Sequence, residues 1–427
     1  LDTDAHTLGL RWQNDEEYAQ LTVNFQTFSW DIVYTENGEE KTVTAAADEV
    51  LTLVVNGVQR DIAAGATFTG VESYSFTDTA VRNSGSGAPP WEPGATPAEF
   101  NFRQALLVTA DGIDQDASVT DAISGTYDDT SAKDVAVTSE GDFFNGIYVS
   151  GAQYAIDGLK MSLKGDGGND FGGWGAGLMA DGEADVTVDN AVIDTAGVIR
   201  TAIWAGGDAD LTVTNSVISA YESLSSQEEY DALVVPMMKR TPFALGMEGV
   251  VRATNVLGSA TATYEDSIVV SSGWGALSTD SGTGHDTTGE YALTVRNTLG
   301  GIGTVEVAQK GKDYTLTKEV NGVTYGFTMG GSGYVAYADA GVWDKFENVQ
   351  FYTPDYVQIM ASSTSSAFYT DSDLHSGRIA FMTQQNAGGT LSVKDSSVYA
   401  EDTVVQIKSG AANKGYTNVE FDNVDVT

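Results

Sequence analysis

Residues 177–193 (GLMADGEADVTVDNAVI) align on residues 202–218 (AIWAGGDADLTVTNSVI) at a shift of 25, with nine identities in seventeen positions. Agreement of that order at a fixed shift marks a repeat, and a repeat restricts the chain to architectures in which each unit buries its apolar side only against its neighbours. The shared core is apolar-x-apolar-x-Asn/Asp-x-apolar, an alternating strand followed by a polar turn residue. With the turn residue as anchor, the unit recurs at Gly158, Asn190, Asn215, Asp266, Asn297, Asn348, Asp371, Asp395 and Asn423.

The steps between anchors are 32, 25, 51, 31, 51, 23, 24 and 28 residues. A step near 24 fits one coil of a parallel β-helix. A step of 31 or 32 fits a coil with an inserted loop, and 51 fits two coils with one anchor unrecognised. The expected fold class is therefore all-β: a right-handed, three-sided parallel β-helix of about 24–25 residues per coil over residues 154–427, ten or eleven coils in all. Asn and Asp suit a turn that visits the left-handed region, and their side chains can bond from coil to coil.

Composition agrees, with 48 glycines, 7 prolines and frequent Val, Thr, Ile and Tyr. The best helical stretch is residues 223–234. Residues 1–100 are expected to be a β-rich N-terminal region, with a hairpin around Asn37-Gly38. That region ends in a crossing at 89–97 that holds four of the seven prolines. Residues 101–153 then read as lead-in, irregular coils, with Ala105 to Val108 as a first strand.

Sixty acidic against 21 basic residues give a formal charge of −39, which repels nucleic acid and anionic lipid. Cysteine is absent, so thiolate chemistry and disulfides are excluded. No apolar run is long enough to span a bilayer. The chain opens Leu-Asp-Thr-Asp, read as a mature exported chain whose leader has been removed or left out, so the expected setting is extracellular, secreted or on a cell surface.

Four phrases carry a resemblance: residues 165–177 (GDGGNDFGGWGAG), 197–202 (GVIRTA), 251–255 (VRATN) and 273–280 (GWGALSTD). In these, residues 102–280 resemble a family of exported right-handed β-helix proteins of anaerobic bacteria. The resemblance implies a fold and an extracellular setting, and it carries over no catalytic residue. More distantly, the architecture is similar to pectate lyases, polygalacturonases and adhesin passenger domains. The polygalacturonase pattern is departed from: Gly284-His285-Asp286 stands where Gly-His-Gly is expected, and Arg378-Ile379-Ala380 where Arg-Ile-Lys is.

Several groups invite a chemical reading beside a plainer one. Asp166, Asn169 and Asp170 crowd oxygens on a glycine backbone that could wrap calcium, or form an acidic turn. His285 with Asp286, and Asp371, Asp373, His375 and Arg378, could be drawn as catalytic sets, the latter for elimination across a uronic acid; polar crowding at a turn gives the same letters. Trp174, Trp204 and Trp274 could stack on sugar rings, or pack over glycine on the next coil. Arg200 and Arg252 read as partners for nearby carboxylates. Val419, Phe421, Val424 and Val426 lie on the last unit, a template for end-to-end self-association.

The leading functional expectation is thus a non-enzymatic surface protein, an adhesin or a structural subunit that meets a polysaccharide or a host or cell-surface ligand. The alternatives are a carbohydrate-active enzyme, either polysaccharide lyase or glycoside hydrolase, and a glycan-binding module.

Overall fold

A computed structural model describes residues 99–223, 247, 249–282, 290–339, 341–362, 364–384, 388–408 and 417–427, and the backbone of seven short strands between residues 7 and 84. Among the described residues there is no α-helix. The helical expectation from residue 224 onward, the proline-rich crossing and the His285–Asp286 pair lie outside them. Near the N-terminus, Ser29–Glu36 pairs antiparallel with Glu39–Ala46 in the register Glu36↔Glu39, which is the expected hairpin.

From residue 99 onward the chain is an all-β solenoid of long parallel sheets. Each unit supplies a first strand such as Asp185–Asp189, a second such as Val192–Ala196 and a third such as Ile203–Ala205. Each pairs in parallel with its counterpart one unit on: Asp185–Asp189 with Asp210–Thr214, Val192–Ala196 with Val217–Tyr221, and Ile203–Ala205 with Thr254–Gly258. First strands alternate exposed and buried, so Val186, Val188, Leu211 and Val213 point into the stack. Alternation of period two puts every second side chain on one face, and the strand buries that face against the coils above and below.

All nine anchors adopt the left-handed backbone, the Asn and Asp anchors at φ of 46° to 56° and Gly158 at 77°. The strand must turn a corner there, and Asn and Asp tolerate the left-handed well better than other side chains. From Asn190 to Asp395 the anchor N–H donates to the carbonyl just before the next anchor, as in Asn190 to Thr214 and Asn348 to Thr370. Anchor side chains also bond along the stack, Asn348 Nδ2 to Asn297 Oδ1 at 2.7 Å and Asn423 Nδ2 to Asp395 Oδ1 at 2.6 Å.

Just inside the anchors runs a buried hydroxyl ladder that the sequence reading did not identify. Ser216, Ser267, Thr298, Ser372 and Ser396 each donate to the carbonyl two residues back. Each also accepts an N–H from the coil before it. The recurring pair Asn/Asp-Ser/Thr was there to be read.

The 51-residue steps correct the coil count. Asp210–Thr214 pairs directly with Thr261–Glu265, and Leu293–Arg296 with Trp343–Glu347, so each long step is one coil that carries an insertion. From residue 154 the described residues form nine rungs, against the ten or eleven expected. The second insertion is a β-tongue. Leu299–Val307 runs on past its parallel partner and pairs antiparallel with Val323–Met329, which pairs with Leu316–Val320. The register Val320↔Val323 leaves Asn321-Gly322 as a two-residue turn, both at positive φ.

That tongue lies back over the outer face of the second strands. Its Val320 and Phe327 cover the outward-pointing Val217, Ile268, Val270 and Leu299. At its tip, Asn321 Nδ2 donates to Asn190 Oδ1 at 2.6 Å and Asn215 O at 2.7 Å, joining the anchor ladder.

Candidate functional site

The four sequence phrases at 165–177, 197–202, 251–255 and 273–280 meet in one cluster built around two buried arginines. Arg200 is fully buried and donates five hydrogen bonds to main-chain carbonyls: Nε to Gly165, Nη1 to Phe144 and Gly175, Nη2 to Gly141 and Asp166. Five is the donor capacity of a guanidinium. It therefore staples the inserted loop at 165–177 to the coil that precedes it. Glycine is needed in that loop and on the segment facing it because backbones touch: a Cβ at Gly167 would lie 1.8 Å from Ile199 O, and one at Gly197 1.9 Å from Gly165 O.

Arg252 meets the carboxylate expectation. Its Nε donates to Asp170 Oδ2 at 2.7 Å and its Nη1 to Asp280 Oδ2, and all three side chains are buried. The guanidinium lies over the Phe171 ring at 4.7 Å and the Trp274 ring at 5.6 Å. Burial pushes the Asp170 and Asp280 carboxyls up, and the charge of Arg252 opposes it. Asn255 closes the cluster, Nδ2 donating to Asp170 O at 2.9 Å.

The three oxygens proposed to wrap calcium have separate partners. Asp166 Oδ1 accepts from Val198 N at 3.0 Å, and Asn169 Oδ1 from Phe171 N and Gly172 N at 2.9 Å each. Asp170 faces Arg252. Among the tryptophans, Trp174 is half-buried and stacks on Phe102 at 5.5 Å. Trp204 and Trp274 are 5% and 3% exposed. Trp204 fills the space over Gly173 and Gly206, where added Cβ atoms would meet its ring at 2.7 and 2.0 Å. Packing over glycine thus uses the indole surface that a sugar would need.

The set Asp371, Asp373, His375 and Arg378 is drawn out along one strand. Asp371 is an anchor at φ 52° and Arg378 lies beyond the far end of Asp373–Ser376. The four strand residues between them alone span about 13 Å. Asp373 accepts from Tyr352 Oη at 2.5 Å and Ser397 Oγ at 2.7 Å. His375 is stacked between Tyr352 at 5.1 Å and Tyr399 at 4.3 Å, and burial lowers its pKa. Arg378 pairs with Asp355 at 3.3 Å and donates to Tyr356 Oη. Asp371 and Asp373 share an open groove with Lys318, Asn348, Gln350 and Asp395 in its walls.

On the last unit, Val419, Phe421 and Val426 are 40%, 38% and 45% exposed, while Val424 packs partly against the core. Among the described residues no group of three or more His, Cys, Asp or Glu side chains is placed to hold a metal ion, and no helix is long and apolar enough to cross a membrane. No family model matches the chain, and no curated protein matches it.

Proposed function

We propose that this chain is a non-catalytic protein of the cell exterior, an adhesin or a structural subunit of an extracellular assembly, wound as a right-handed helix of three-sided coils. The right hand follows the strong preference of parallel crossovers. The reading is carried by the employment of the polar side chains. Asp170 and Asp280 are both tied to Arg252 in a buried cluster, Asp373 and His375 are held by their neighbours in the stack, and Arg378 is paired with Asp355. An acid and a base facing a shared open space are what a lyase or hydrolase requires.

Incubation of the protein with a panel of neutral and acidic polysaccharides, with and without calcium, tests this reading. Unsaturated or reducing ends are expected to stay at the level of the blank in both arms. Their release would overturn the proposal in favour of a polysaccharide lyase or glycoside hydrolase, and dependence on calcium would point to a cation at Asp166, Asn169 and Asp170.

A further inference from the structure

Among the inward positions of the described first strands, one carries a carboxyl group. The register Leu293↔Asp344↔Ala367↔Leu391 puts Asp344 in a row of core side chains, and its exposure is 0%. Both of its carboxyl oxygens approach a single partner, Thr279 Oγ1, at 3.2 and 3.0 Å. The same Oγ1 is 2.9 Å from Tyr337 O. A threonine hydroxyl has one hydrogen to give. If it goes to Tyr337, an ionised Asp344 is left buried with no donor, the most unfavourable arrangement open to a carboxylate. If it goes to Asp344, that single bond is all the solvation the charge receives.

A protonated Asp344 removes the conflict: the carboxyl O–H donates to Thr279 Oγ1, and Thr279 donates to Tyr337 O. We propose that Asp344 is a neutral carboxylic acid in the folded protein at neutral pH, donating to Thr279, and that its ionisation is a pH-sensitive point of the solenoid.

Among the described residues no charge acts on it to favour the anion. Leu293 and Ala367 flank it in register, and the titratable group that faces it is Tyr369, whose hydroxyl donates to Gln358 Oε1 at 2.7 Å. Asp280, beside Thr279 on its strand, is bonded to Arg252. Burial pushes the Asp344 carboxyl well above its ordinary range, with the Thr279 contact a lesser, opposing influence.

Because the folded-state pKa lies above the unfolded one, the folded state binds the extra proton. The contribution of Asp344 to stability is full below the ordinary carboxylate range and is lost as pH rises from there toward the raised value.

Thermal unfolding of the wild type and of Asp344→Asn across about pH 4 to 8 tests this, because the carboxamide supplies the same donor without a proton to lose. The Asn variant is expected to gain on the wild type by roughly 2 °C for each pH unit. An infrared difference between the two proteins at neutral pH should show a protonated-carboxyl band in the wild type. Asp344→Ala, an alanine as at Ala367, carries the same comparison should the Asn variant fail to accumulate. A gap between the melting curves that stays constant with pH, or the absence of that band, would overturn the proposal.

Discussion

Replacing Arg252 by methionine is expected to cost about 3–5 kcal/mol and to be the most damaging single change among the polar residues. The loss does not measure how much the ion pairs stabilise the fold. Asp170 and Asp280 are 2% and 4% exposed, so removing the guanidinium strands two carboxylates away from water with no counter-charge. Burial already pushes both carboxyls upward, and without Arg252 they would rise further and fold only as acids. The damage should therefore be smaller in acid than at neutral pH. Adding Asp170→Asn and Asp280→Asn to Arg252→Met should recover part of the loss, as expected for groups in one network. Denaturant midpoints of the single and triple variants make the comparison; equal losses would mean that packing over Phe171 and Trp274 matters more than charge.

Placing aspartate at Val188 should cost about 4 kcal/mol or more, whereas placing it at Thr187, one residue away, should stay within about 0.5 kcal/mol. Val188 is 1% exposed and sits in register between Ile156 and Val213, so a carboxyl there faces only the apolar interior of the stack. Thr187 lies on the outer face between Ala155 and Thr212. A difference that large between neighbours follows from strand alternation alone, since the two side chains point to opposite faces. Midpoints of thermal unfolding for the two variants would show it, and similar losses at both positions would place the inward register wrongly.

What the sequence disclosed, and what it hid, follows from the range of the interactions concerned. The anchors were legible because the left-handed corner is a local demand, repeated in every coil and met by Asn or Asp; Asn190, Asn215 and Asn297 all stand at such corners. The inward rows were legible for the same reason, through alternation at Val186 and Val188. The meaning of a 51-residue step was not, because spacing alone cannot separate a missed coil from an insertion. The tongue at 303–329 pairs with itself, and the residue by which it joins the anchor ladder is Asn321, which reaches Asn190 across 131 residues.

The site residues were harder still. Arg200 and Arg252 stood out as rare cations in an acidic chain, yet nothing local says that one binds five carbonyls and the other two carboxylates. Asp344 was hidden in plain view. It fills the first apolar position of its unit, and only the three-dimensional register reveals that its one neighbour for a hydrogen bond is Thr279, 65 residues earlier. Of Asp371, Asp373, His375 and Arg378, grouped by closeness in sequence, Asp373 and His375 share the outer face of one strand, whereas Arg378 lies beyond its end and pairs with Asp355. Along an extended strand, sequence neighbours diverge, while the spatial neighbours of His375 are Tyr352 and Tyr399, one coil away on either side.

The claim on which the rest depends is that every repeat unit, whatever its length, makes one rung. Thr212 and Thr263 are 51 residues apart and direct register partners on the outer face. Parallel neighbours stand about 4.8 Å apart, within the span a disulfide can bridge, whereas strands separated by an extra rung stand at roughly twice that distance and cannot be joined. The chain has no cysteine of its own, so Thr212→Cys with Thr263→Cys can be read without background. Rapid and near-complete cross-linking of the folded double variant under mild oxidation is the expected result, and a pair that stays reduced while the protein remains folded would contradict it.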